Sequence, residues 1–290
     1  MSVVALKVRP ALMGDQRRLS DLLFTEEHVH RHLDWRPPLS WLGGPHFWVM
    51  EEGRRLLAAM ACPQDPPGIA WVRIFVFAAP LVASEAWSPL WQAAHTEVAE
   101  AGGALVAAIA VKTWFQAVLE QAGFHKHQSI VLLEWEPRAV EHRPLPEGLH
   151  LRPMQREDLA AVAEVDADAF DPLWTNSIRV LEQAFSQAAS AVVAELSGRL
   201  VGYQVSTGNA FGNHLGRLAV RRDAQRRGVG EALLRDLMLG MRRQGAWRLT
   251  VNTQDDNDAS LRLYMRMGFV RTGESYPVYL HEIGKARSPA

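Results

Sequence analysis

A chain of 290 residues with 48% hydrophobic and 22% charged residues, 21 Gly and 16 Pro has the make-up of a folded globular protein of one or two domains, which excludes a disordered or low-complexity chain. Lys plus Arg number 31 against 32 Asp plus Glu, a formal net charge of -1, so no overall charge draws the protein onto nucleic acid or an anionic membrane, and a small molecule is the expected partner. The single Cys, Cys62, excludes an intrachain disulfide and any paired-cysteine metal or redox motif, as suits a reducing cytosol.

In chain order, Met1 to Lys7 lacks the charged segment and long apolar core of a secretory signal, and the longest apolar run, residues 104–111, is too short to span a bilayer. The expectation is a cytoplasmic protein with no membrane partner. A strand at Leu6 to Pro10 leads into a helix with Leu19, Leu22 and Leu23 on one face. Next comes a stretch with His28, His30 and His32. Alternating His could share a strand face and bind a metal, but no further spaced ligands accompany them; a solvated loop before Pro37 and Pro38 is expected, and no metal. Phe47 to Glu51, the turn at Gly53 and Leu56 to Ala58 read as a hairpin, and a helix ends at Gly123 before a strand opening with Phe124.

The same plan is then written again. Leu149 to Pro153 with Leu159, Val162 and Val165 repeats the opening strand and helix, Ala191 to Gly202 repeats the hairpin, and Gly268-Phe269 repeats Gly123-Phe124. The offset is about 145 residues, half the chain. Residues 136–148, rich in Pro and charge, read as an exposed connector. Two α/β domains with mixed sheets are expected, 1–140 and 146–290, with the boundary near residue 145.

The second half holds a constellation of chemical interest. A strand at Leu215 to Val220 runs into Gln225-Arg226-Arg227-Gly228-Val229-Gly230-Glu231 and then a helix with Leu233, Leu237 and Met241 on one stripe. At such a helix start the first N–H groups lack intrahelical partners and the macrodipole is positive, so backbone amides alone can bind a pyrophosphate. Gly228 and Gly230 allow close approach, and Arg226 and Arg227 add cationic charge. The string is neither GxGxxG nor a Walker motif, which removes the Rossmann and P-loop readings. A further strand at Arg248 to Asn252 is followed by Asn257, Ala259, Leu263, Tyr264, Gly268 and Phe269.

These two strings together resemble the GCN5-related N-acetyltransferase (GNAT) superfamily, with its [Q/R]xxGx[G/A] cofactor motif and its N-x-x-A-x-x-L-Y-x-x-x-G-F signature. The resemblance covers residues 149 to about 282 well and the first half in outline. It implies two tandem acyl-CoA N-acyltransferase-like domains and acetyl-CoA as acyl donor, with no metal. It also implies that strands four and five splay apart. Backbone of Leu218, Ala219 and Val220 would then bind the pantetheine arm and thioester oxygen, the amides of Gln225 to Glu231 the pyrophosphate, and Asn257 the cofactor. Tyr264 would be the general acid; its spacing with Leu261 and Met267 also fits a buried helix aromatic.

The base is read by similarity to more than one branch of the family. Peptide-alanine acetyltransferases use a Glu on the fifth strand, where this chain has Asn252. His214, in a segment similar to the HLHALAV of arylalkylamine acetyltransferases, is the candidate base, with Glu195 and Asp168 behind it; an imidazole titrates in the right range. The first half lacks the chemistry: Pro80, Ala83, Glu85 and Leu119 fall under Gln225, Gly228, Gly230 and Tyr264. It carries Trp35, Trp41, Trp48, Trp71, Trp87, Trp91, Trp114 and Trp135 of the ten Trp. A degenerate copy is expected there, an arrangement similar to mycothiol synthases. The function expected is acetyl transfer to a primary amine, on a small molecule or a peptide N-terminus, by a monomer or homodimer; the alternative is a non-catalytic acyl-CoA-binding sensor or scaffold.

Overall fold

The computed structural model of the chain describes residues 6–135, 140–141, 143–209 and 212–284. The first residues of the N-terminal segment and residues 136–139 and 142 of the expected connector lie outside them. Strands and helices follow as β1 (Lys7–Pro10), α1 (Gln16–Thr25), β2 (His28–Arg31), β3 (Phe47–Glu52), β4 (Arg55–Ala61), β5 (Ile69–Trp71), β6 (Ile74–Phe77), α2 (Ala83–Glu100), β7 (Leu105–Ile109), α3 (Thr113–Gln121) and β8 (His125–Trp135). The second series is β9 (Leu149–Pro153), α4 (Leu159–Ala169), α5 (Ile178–Ser186), β10 (Ser190–Leu196), β11 (Arg199–Asn209), β12 (Gly212–Val220), α6 (Val229–Arg243), β13 (Leu249–Gln254), α7 (Asp258–Arg266) and β14 (Phe269–Glu282). No helix among the described residues is long and apolar enough to cross a membrane.

The chain forms two compact units, Met1–Gln128 with Tyr276–Ala290, and Ser129–Ser275. This division differs from a cut near residue 145, and the reason is strand pairing. Residues 130–134 of β8 pair antiparallel with β13, so the last strand of the first repeat completes the second unit. Residues 278–282 of β14 pair antiparallel with β7, so the end of the second repeat completes the first. An alternating apolar pattern fixes which face of a strand is buried but not which neighbour it joins.

Both units carry the bulged hairpin, β3–β4 and β10–β11, with the register shift at Met50/Glu51 and at Ala194/Glu195. Both also carry one arginine clamp. Arg9 donates to Asp15 at 2.7 Å and Glu51 at 2.8 Å; Arg152 donates to Asp158 at 2.7 Å and Glu195 at 2.6 Å. The Arg9 guanidinium holds the Asp15 carboxyl down at about 2. The repeated Arg-Pro of the sequence is therefore a tie between the first strand, the helix start and the hairpin. Glu195 is spent in it, as Glu51 is in the other unit.

In the first unit, one apolar cluster joins Phe75, Trp87, Leu90, Phe115 and Leu119, and another joins Leu19, Leu23, Ala59 and Ile74. His28 to Arg31, expected as a solvated loop, form strand β2, paired antiparallel with β6 from His28↔Phe77 to Arg31↔Ile74. His28 stacks on Phe77 and buried His30 stacks on Phe115 at 3.9 Å between ring centroids. The flat His30 imidazole fills this aromatic core once neutral, and burial lowers its pKa to about 4. No group of three or more His, Cys, Asp or Glu able to hold a metal is found among the described residues.

Candidate functional site

In the second unit β12 is bonded along its length to β11, from Asn209↔Gly212 to Gly202↔Val220. Its parallel pairing with β13 covers only Asn213, His214 and Leu215. From Gly216, where the register with β11 shifts, the strand leaves β13, and among the described residues one backbone edge of residues 217–220 has no sheet partner. A free edge of this kind can hydrogen-bond an extended ligand as a sheet bonds a strand.

A cavity of about 890 Å³ opens along this edge. Leu218, Ala219, Val220, Gln225, Arg226, Gly228, Val229, Gly230, Glu231 and Asn257 all line it, together with Phe170, Ser260, Arg262 and Arg266. The sequence-predicted cofactor residues thus come together, with one exception: Arg227 is exposed and outside the lining.

The turn before α6 is shaped for an anion. Arg226 (φ 61) and Gly228 (φ 82) adopt left-handed backbone. A Cβ at Gly228 would be strained by that φ and would meet Pro146 Cγ at 3.1 Å. The Gln225 side chain donates to Val220 O at 3.1 Å and ties the turn to the strand end. Among the described residues the N–H groups of Arg227, Gly228 and Val229 have no hydrogen-bond partner within the chain. Glu231 at the third helical position could have capped them; instead its carboxylate is held by Arg235 one turn on, with Arg143 3.6 Å away. Gly230 is less constrained than the sequence suggests, since a Cβ there meets nothing nearer than Leu263 at 3.4 Å. Asn257 caps α7, Oδ1 accepting from Ser260 N at 3.1 Å and Nδ2 donating to Gln254 at 3.3 Å.

The two residues expected to move protons stand outside the lining. Tyr264 is 4% exposed, packed beside Phe269 with ring centroids 5.6 Å apart, and its phenol lies next to the Ser260 side chain. Burial pushes the phenol well above its ordinary range. His214 is half-buried, Nδ1 2.9 Å from Thr250 Oγ1 and Nε2 3.1 Å from Asn252 Oδ1. With an amide oxygen as acceptor, Nε2 carries the proton and Nδ1 faces the Thr250 hydroxyl. Desolvation lowers the His214 pKa against the opposing effect of Asn252. Asp168 accepts from Arg222 N at 2.7 Å and is spent on the loop after β12.

A buried ionic network beside the cavity escaped the sequence reading. Asp166 on α4, fully buried, is gripped by Arg217 Nε and Nη2, both at 2.8 Å, and takes the Tyr203 hydroxyl. The signal was present: a carboxylate next to Val165 on the buried face of an apolar helix must be paired.

Residues 156–269 match the model of the Acetyltransferase (GNAT) family. An uncharacterized N-acetyltransferase of Methanocaldococcus jannaschii is 28% identical over 133 residues, 46% of this chain and 84% of that protein. Among solved structures, a GCN5-related N-acetyltransferase from Sphaerobacter thermophilus is 18% identical with a TM-score of 0.63, covering 96% of both chains. A tandem GNAT protein from the clavulanic acid biosynthesis pathway is 16% identical with a TM-score of 0.66, covering 97% of this chain and 100% of that one. At these identities the solved structures share the fold.

Proposed function

We propose that the second unit, in which residues 156–269 match the model of the Acetyltransferase (GNAT) family, moves the acetyl group of acetyl-CoA to a primary amine, on a small molecule or a peptide N-terminus, and that the first unit is non-catalytic. The observation that carries this reading is the free edge of β12 continuing into unpartnered amides at the start of α6, along one cavity.

Acetyl-CoA supplies the activated thioester carbonyl; the residues supply its placement and the proton movements. The amides of residues 227–229 and the guanidinium of Arg226 suit the pyrophosphate, and Arg262 and Arg266 add positive charge to the same lining. Backbone groups of Leu218 and the N–H of Val220, which point to the free edge, would bind the pantetheine amides in strand fashion and point a donor at the thioester oxygen, where negative charge builds during transfer, while the Ala219 backbone faces β11. His214, kept neutral by desolvation, takes the amine proton as the nitrogen bonds to the acetyl carbon. Tyr264, kept protonated by burial, returns a proton through the adjacent Ser260 hydroxyl to the sulfur as the carbon–sulfur bond breaks. Each proton lost by the amine is matched by one gained by the thiol.

Free-thiol release from acetyl-CoA, measured across amino acids, polyamines, aminoglycosides and peptides with free N-termini, tests the reading. Tyr264→Phe is expected to lower kcat by about 10² with unchanged acetyl-CoA affinity, and His214→Ala to remove the acidic limb of the pH profile, which lies below the usual imidazole range. Tight acetyl-CoA binding with no thiol release for any amine would turn the conclusion to a sensor or scaffold.

A further inference from the structure

Asp166, Tyr203 and Arg217 sit where the cavity ends. Arg217 is the first paired residue of β12 after the bulge at Gly216, next to Leu218, the innermost strand residue of the lining. Its guanidinium lies 3.5 Å from the centroid of the Phe170 ring, and Phe170 lines the cavity. From the α6 turn the lining runs back along Val220 and Ala219 to Leu218 and Phe170. With phosphates at the turn, this far end is where the acyl group and the attacking amine meet.

The network grips the segment after α4. Besides holding Asp166 through Nε and Nη2, Arg217 donates from Nη2 to Trp174 O at 2.7 Å. Asp166 Oδ1 accepts from Asn176 N at 2.7 Å. Residues 170–176 are thereby strapped to the open strand by charge-assisted bonds.

The other unit shows that the fold does not require this. The bulged hairpins and arginine clamps align the two copies residue by residue, and the partners of Asp166, Tyr203 and Arg217 are Leu23, Ala59 and Ile74. All three of these are buried and packed in one apolar cluster. An apolar solution thus exists at the same place in the same fold. A buried ion pair is costly to desolvate, and replacement by well-packed apolar residues is often neutral or stabilising. The unit with the open strand retains the costlier arrangement, with Asp166 and Tyr203 fully buried and the Arg217 side chain 13% exposed.

We propose that Asp166, Tyr203 and Arg217 are positioning residues that fix residues 170–176 as the acceptor-side wall of the cavity, so that they govern how the amine is held and not how the acyl donor binds. This rests on the acetyl-transfer reading above.

The test is to install the first unit's residues: Asp166→Leu, Tyr203→Ala and Arg217→Ile together. The expected protein is folded with unreduced Tm and binds acetyl-CoA within about threefold of wild type, while amides of residues 170–176 exchange hydrogen about tenfold faster or more. For the amine that wild type acetylates fastest, KM is expected to rise about tenfold or more, with kcat changed less than about threefold. Arg217→Lys, which keeps the charge but not the fork, should move exchange and KM the same way. It decides the matter if the triple variant does not fold. Unchanged exchange and KM would overturn the proposal, as would acetyl-CoA affinity falling in step with Tm, the mark of a fold element. Failure of the acetyl-transfer reading is distinct, because it shows in the wild-type protein as absent thiol release.

Discussion

Strand β6 of the first unit and strand β12 of the second occupy the same place in the same fold, and what lies along their outer edges decides what each can do. Both pair with a hairpin strand on one side, Ala58↔Phe77 in one case and Gly202↔Val220 in the other. On the other side β6 is bonded to β2, whereas β12 is open from residue 217 to its end. The helices that follow differ in the same sense. Glu85 of α2 turns back to accept from Val82 N, while Glu231, at the same helical position of α6, is held by Arg235 and leaves the start amides free. The first unit has thus closed from its own chain the strand edge, and capped with a carboxylate the helix start, that the second leaves for a ligand. Loss of the cofactor motif is only part of its divergence.

The comparison breaks most sharply at Gly228. Gly228→Val would put a branched side chain at φ 82 and against Pro146, so the turn must move and its amides lose their common aim. Acetyl-CoA affinity should fall by about 10³, or some 4 kcal/mol, with the fold retained. Calorimetric titration would read this against a wild-type stoichiometry of one per chain. Two equivalent sites in wild type would contradict the account of the first unit.

Much of this was legible in the sequence because it is local. The Gly turn and the helix stripe with Leu233, Leu237 and Met241 follow from spacing, whereas Asn257, expected only as a cofactor contact, also caps α7. What escaped depended on partners far along the chain. Strand β2 carries His at alternating positions that look solvated until Phe77 and Phe115 are brought against them. The exchange of β8 and β14 between units leaves no local trace, since both are ordinary alternating strands. Aligning by a fixed offset set Glu85 under Gly230, where the helix starts pair it with Glu231, because the loops before the two helices differ in length. Asp166 and Arg217 are far apart in sequence, and only the fold reveals them as one network.

A second difference is acid sensitivity. The His30 pKa falls from 6.5 to about 4 through burial, with Nε2 3.0 Å from Val72 O. Because the folded value is depressed, the unfolded chain takes up the proton first. Stability from this group is complete above about pH 6.5 and is lost as pH falls toward 4, a change on the order of 3 kcal/mol. His32 is depressed in the same direction. Denaturant unfolding at pH 7 and pH 4.5 should show the loss, and His30→Phe, which keeps the aromatic plug without the titration, should remove most of it. An unaltered pH slope in that variant would mean that another group carries the effect.

The smallest change separates the two closures of the first unit. Glu85→Gln keeps an acceptor for Val82 N but withdraws the negative charge from the start of α2, which should cost about 0.5 kcal/mol through the helix dipole. If the cap alone excluded a phosphate, this variant would begin to bind acetyl-CoA a second time. It should not, because β2 still occupies the edge of β6 from Phe77 to Ile74, and the pantetheine arm has no strand to join. A stoichiometry that stays at one therefore assigns the exclusion to the strand. A rise toward two would assign it to the carboxylate and would leave β2 as a part of the core with no bearing on ligand choice.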